Sequence, residues 1–324
     1  MTSNPTLDGV LIQWGERLFY PGNRLVKSQT PRLHTVGQRA AALRSRIAAT
    51  VRRAPQVMVK VTGGGRGMAA IAAHFRYISK NGRLPIEDDR GVTERGKEAL
   101  QAIERQWRVG GSRIDNHSPR REAFNIMLSM PRGTDPLAVQ QAAREFARIE
   151  LADHRHVMVL HDHQAHPHVH ISVRAESKQG KRLNPRKADL QRWRETFAER
   201  LRGLGIEAEA SRQAVRGSRH RNERVWERKT ASPRKPRTGR PEPLPTGQRR
   251  DAVQAWVEIL RALQASPSTS DRQLAQSVDQ YLRRMPAVQA IAKHQAQQRE
   301  LPGMGRRQTV VPLIQERRGP EMER

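Results

Sequence analysis

Two short runs, HRHVMVLH at 154–161 and HVHISVRAE at 168–176, are joined by only six residues. Six residues are too few for the crossover that parallel strands require, so the two runs must pair antiparallel. Residues two apart in a strand share a face. His168 and His170 therefore point one way, while Val169, Ile171 and Val173 point the other way, into a core. The antiparallel pairing sets His161 beside His168 at the mouth of the hairpin. Three imidazoles, His161, His168 and His170, then converge as a facial metal site with open positions for water or substrate. By ligand softness alone, such a set suits Mn, Zn, Fe or Ni better than Mg. Asp162, His163 and His166 fall in the connection, where Pro167 blocks regular pairing. From there they can support a ligand by fixing its tautomer rather than bind the ion themselves.

Around this hairpin the pattern reads β-α-α-β-α-β-β-α-β. QVMVKVTG (56–63) alternates as a strand, GGGRG (63–67) follows, and a helix over 68–80 ends at Gly82. A loop or hairpin covers 83–93, and Thr93 is placed to cap a helix over 94–107. AFNIMLSMP (123–131) is a strand, and Asp135 with Pro136 opens the next helix. After the hairpin, Asn184 and Pro185 precede a helix carrying Trp193, Phe197 and Leu201 on one face, and IEAEA (206–210) is a last strand. The predicted fold class is α+β, a central antiparallel sheet flanked by helices. The predicted organisation is a basic extension (1–54), the α+β domain (55–212), an Arg- and Pro-rich linker (213–247), a helical hairpin (248–300) and a tail (301–324).

Charge narrows the partner. Sixty Lys and Arg against 32 Asp and Glu give a net charge of +28, a field that favours a nucleic acid before a membrane. No cysteine is present, which excludes thiolate metal sites and disulfides and fits a reducing cytoplasm. No apolar run reaches the roughly 18 residues of a membrane span.

A metal that binds a phosphate oxygen needs a nucleophile for the phosphorus. Of the three tyrosines, Tyr281 lies on an apolar helical stripe and Tyr20 in a turn of the extension. Tyr77 sits off its helix's apolar stripe, between Arg76 and Lys80, with His74 one turn before it. Cations beside a tyrosine stabilise the phenolate and attract phosphate. Arg182, Arg186, Lys187, Arg192 and Arg194 cluster after the hairpin and are candidates, with Arg76 and Lys80, for tracking a DNA backbone. The glycine-rich loop is a weaker phosphate candidate.

AHFRYISKNG, NIMLSMPRGTDP, VLHDHQAHPHVHISVRAE and RLNPRKADLQRWRETFAERLRGLGIEAEAS occur in this order within about 55–215. They resemble successive motifs of the relaxase, or mobilisation nuclease, family of HUH endonucleases. The resemblance implies site- and strand-specific nicking of single-stranded or supercoiled DNA at an origin of transfer. It implies Tyr77 as nucleophile, His161, His168 and His170 as metal ligands, and Mg²⁺ or Mn²⁺ as cofactor. It also implies a 5′-phosphotyrosine link that can be religated, accessory relaxosome proteins, a type IV secretion coupling protein, and a bacterial cytoplasmic protein exported with the DNA. Relatives often carry an acidic residue where this chain has His163, beside Asp162. Two other readings compete. HPHVHIS also resembles the histidine-triad pattern of nucleotide hydrolases and transferases, with His168 as nucleophile. The charge alone would also suit a non-enzymatic basic DNA-binding protein.

Overall fold

The computed structural model describes residues 5–20, 35–217 and 244–300. The hairpin is its centre: β5 (His154–His161) and β6 (His168–Ser177) pair antiparallel with His161 opposite His168 and Val159 opposite His170. β6 also pairs with β4 (Ala123–Ser129), and β4 with β1 (Met58–Gly63). On the other side β5 pairs with β2 (Ile86–Asp88), which turns back into β3 (Thr93–Glu94). The six-stranded sheet runs β1-β4-β6-β5-β2-β3, and every pairing is antiparallel.

The two faces of this sheet differ. One face, carrying Val59, Ile126, Leu128, Val169, Ile171 and Val173, is covered by α5 (Pro136–Glu150) and α6 (Lys187–Gly203). Phe146 and Trp193 meet edge to face there at 6.0 Å. The other face carries α3 (Met68–Ile78) and α4 (Lys97–Val109), packed through Phe75, Ile78, Ile103 and Trp107 on Val157 and Val159. This second layer leaves the outward side chains of β1 open: Met58, Lys60 and Thr62 are all exposed.

Local chemistry explains most boundaries. Asp135 caps α5, accepting from the Leu137 and Ala138 amides, with Pro136 at the first helical position. Thr93 does not cap α4; it lies in β3, and Gly96 takes the N-cap position. Residues 206–210 form no strand, only an isolated bridge between Gln56 and Glu209. α3 ends at Ser79, and Lys80, Asn81 and Gly82 all have positive φ. At Gly82 a Cβ would lie 2.7 Å from the Gly96 backbone, so a left-handed turn and a close approach both require glycine.

The expected N-terminal extension and C-terminal hairpin share one core. α1 (Pro5–Phe19) and α2 (Val36–Val51) pack with α7 (Gln248–Gln264), α8 (Thr269–Arg283) and α9 (Pro286–Glu300) around Leu11, Ile47, Trp256, Ile259 and Val278. Most of the predicted linker (218–243) and the whole tail lie outside the described residues. The Arg-rich face of α2 points inward. Arg44 bonds the buried carboxylates Asp8 and Asp271, each at 2.8 Å. Arg46 pairs with Glu195 of α6 and with Glu209, and lies 4.7 Å over the rings of Phe19 and Tyr20. α2 therefore latches the helical cluster to the back of the sheet domain. Arg44→Ala leaves two nearly buried carboxylates without their cation. It is expected to cost about 3 kcal/mol of stability, at the lower end for a broken buried pair because Arg44 is itself partly exposed. Urea denaturation followed by tryptophan fluorescence will measure it.

Candidate metal centre

The hairpin register fixes the histidines. His161, His168 and His170 are all buried, and each offers a ring nitrogen within 4.8 Å of the others. Their ring centroids lie 4.6 to 5.0 Å apart. Backbone carbonyls orient two of them. His168 donates from Nδ1 to the His166 carbonyl at 2.8 Å, which leaves its Nε2 lone pair free. His161 donates from Nε2 to the Ile78 carbonyl at 2.6 Å, which leaves Nδ1. Burial pushes the His170 imidazole down to about 3 and lowers that of His161. Three buried imidazoles with ring nitrogens this close are a donor set that suits a divalent cation, so the residues fit a metal.

The connection supplies support through its backbone. The His166 carbonyl holds His168, while the His163 ring stands 5.2 Å from that of His161. Asp162 and His163 are exposed.

Tyr77 stands in the last turn of α3 and is 70% exposed. Its ring lies 6.4 Å from that of His170 and is stacked with His74 at 6.2 Å. The Ile78 carbonyl that holds His161 belongs to the next residue, so one hydrogen bond ties the tyrosine's helix to the histidine cluster.

The candidate cations separate into two groups. Lys80, exposed at the end of α3, is close enough to His161 to act on its charge. Arg76 is paired with Glu104. Arg182 bonds Glu122 and the Arg121 carbonyl, and Arg192 bonds Glu150 and Asp189. Arg194 bonds Gln191, the Arg186 amide bonds Asp189, and Lys187 is exposed. α6, which carries Lys187, Arg192 and Arg194, covers the face with Val169 and Ile171, opposite the histidines. The geometry does not bring these α6 residues to the histidine cluster.

Two cations that the sequence reading passed over are better placed. Lys60 of β1, Met127 of β4 and His170 of β6 are direct partners across the sheet, and so share a face. Arg132 follows β4 at the end where the Met130 amide bonds the Pro167 carbonyl. Both are exposed, and neither has an ion pair among the described residues. The signal for Lys60 was its alternation with Val59 and Val61. The glycine-rich loop has a different role from the one expected. The Gly65, Met68 and Ala69 amides already bond the carbonyls of Ala123, Asp115 and Asn116. A Cβ on Gly64 would meet the Ala123 carbonyl at 2.2 Å. These glycines serve close packing, with those amides already taken.

Comparison with known proteins agrees with this geometry. Residues 77–205 match a family model described as "Relaxase: MobA/VirD2-like, nuclease domain". The match begins at Tyr77 and includes all three histidines. The T-DNA border endonuclease VirD2 of Agrobacterium fabrum (strain C58 / ATCC 33970) is 25% identical over 183 residues, covering 50% of this chain. The chain spans 41% of the length of that relative. No helix among the described residues is long and apolar enough to cross a membrane.

The pKa of His170 has a consequence for stability. With a folded value of about 3 against an ordinary 6.5, His170 stays neutral in the fold while the unfolded chain gains a proton between those values. The unfolded state binds more protons, so stability is full above about pH 6.5 and falls as pH drops. In chelator, the thermal midpoint of the wild type is expected to fall more steeply from about pH 7 to 5 than that of His170→Leu, which has no imidazole to charge.

Proposed function

We propose that the protein is a DNA relaxase of the MobA/VirD2-like kind that nicks one strand by tyrosine transesterification, a reading supported by the family match over residues 77–205. The observation that carries this reading is Tyr77, 70% exposed beside a buried three-histidine cluster on a strongly basic chain. The substrate is single-stranded or supercoiled DNA at an origin of transfer. The setting is mobilisation of a plasmid or similar element, with accessory relaxosome proteins and a secretion coupling protein as partners and with export alongside the DNA. Mg²⁺ or Mn²⁺ is the cofactor proposed.

His161, His168 and His170 would hold a divalent ion, which would supply positive charge to offset that of the scissile phosphate. The remaining work belongs to the protein. The Tyr77 Oη attacks phosphorus and forms the Oη–P bond. The bond from phosphorus to the 3′ oxygen breaks, and the tyrosine's proton ends on that oxygen. The products are a 5′-phosphotyrosine and a free 3′ hydroxyl. The phosphodiester energy is kept in the new ester, so the strand can be rejoined by the reverse step without ATP. Lys60, Lys80 and Arg132, exposed and without an ion pair among the described residues, are suited to neighbouring phosphates.

Incubation of the purified chain with origin single strand and Mn²⁺ is expected to yield a covalent adduct resistant to denaturing gels. Tyr77→Phe is expected to abolish it. An adduct that persists in that variant removes Tyr77 from the reaction, and a metal-independent phosphoramidate on His168 would favour the histidine-triad reading. Binding offers a separate check. Lys60→Gln is expected to reduce the salt dependence of single-strand affinity by about 0.7 in log–log slope, one phosphate contact. Arg192→Gln, on the opposite face, should leave that slope unchanged.

A further inference from the structure

Each ligand of a histidine metal site needs a partner for its outer nitrogen, because that partner sets the tautomer and the ring orientation. His161 finds one in the Ile78 carbonyl and His168 in the His166 carbonyl. His170 has none from the backbone: its Nδ1 is buried without a hydrogen-bond partner. Among the described residues one other imidazole nitrogen is in the same condition, Nε2 of His74. The two rings meet edge to face, 6.4 Å between centroids. Two buried, unpartnered nitrogens on neighbouring rings are costly apart, and a neutral imidazole carries one donor and one acceptor.

We propose that His74 is a positioning residue for the metal centre: its Nε2 accepts, directly or through one water, the hydrogen bond from His170 Nδ1–H. That bond fixes the lone pair of His170 on Nε2, the nitrogen then left to face the ion. It gives His170 what the two carbonyls give its neighbours. It also explains a histidine at this point of α3, where the helix has its apolar stripe elsewhere and Tyr77 stacks on the same ring. The nucleophile's helix then contacts the metal centre twice, through the Ile78 carbonyl to His161 and through His74 to His170.

The inference rests on the metal-site reading above, and the test separates the two. The full chain is stripped with chelator, dialysed, and titrated with Mn²⁺ by calorimetry. Wild-type protein is expected to bind, and His74→Ala to bind about 10- to 100-fold more weakly, the usual loss for an outer partner of a metal ligand. His74→Phe keeps the ring volume without the nitrogen and should show the same loss. His74→Gln keeps an acceptor and should recover most of the affinity. Thermal midpoints in chelator should agree between His74→Phe and His74→Gln, so that the difference in affinity is not a difference in folding. If His74→Phe and His74→Ala bind Mn²⁺ as tightly as the wild type, the positioning role is overturned while the metal site stands. If the wild type binds no Mn²⁺, the metal site and the inference fall together.

Discussion

The structure depends on the register of one hairpin. β5 and β6 pair so that His161 faces His168 and Val159 faces His170. Side chains alternate with a period of two, so a slip of one residue would turn His168 and His170 into the face of α5 and α6 and send Val169 and Ile171 out. The register is held from both sides. Val169, Ile171 and Val173 are fully buried against the α5–α6 layer, and β4 pairs with β6 along its length. The hydrophobic core on one face is thus the reason the three histidines converge on the other.

α3 takes its place from the same hairpin. Its first amides are held by the Asp115 and Asn116 carbonyls, and its last turn meets His161 through the Ile78 carbonyl. Phe75 and Ile78 are fully buried on the sheet and Trp107. Tyr77, between residues so anchored, projects its ring into solvent without freedom to drift in its backbone. The left-handed turn at Lys80, Asn81 and Gly82 then carries the chain away directly after the tyrosine. Exposure of the tyrosine and rigidity of its helix are therefore compatible.

How much of this the sequence disclosed follows from how local each signal is. The histidine hairpin was legible because alternation and a six-residue connection together leave one arrangement. The Asp135–Pro136 cap was legible for the same reason: donor, acceptor and helix start are neighbours. Lys60 was visible as a strand residue, but its kinship with His170 depends on β4 lying between them, a non-local fact. The arginines of α6 misled because a helical stripe tells which side of the helix is buried, not which face of the sheet receives it. The shared core of α1, α2, α7 and α8 had no local signature, since its halves lie some two hundred residues apart. The pairing of Arg44 and Arg46 had no signal within the basic extension, because their carboxylates, Asp271, Glu195 and Glu209, come from distant segments.

The division of the arginines bears on how so basic a chain can carry a specific site. Arg46, Arg174 and Arg192 are tied to carboxylates or carbonyls within the fold. The carboxylate pairs of Arg46 and Arg192 offset part of that charge at short range, and the field of the exposed remainder decays over a Debye length of about 8 Å at physiological salt. Lys60 and Arg132 are exposed with no ion pair among the described residues, and Lys60 lies on the histidine face beside the open side chains of β1. A polyanion drawn in by the net charge then meets Lys60 on the face that carries the three histidines.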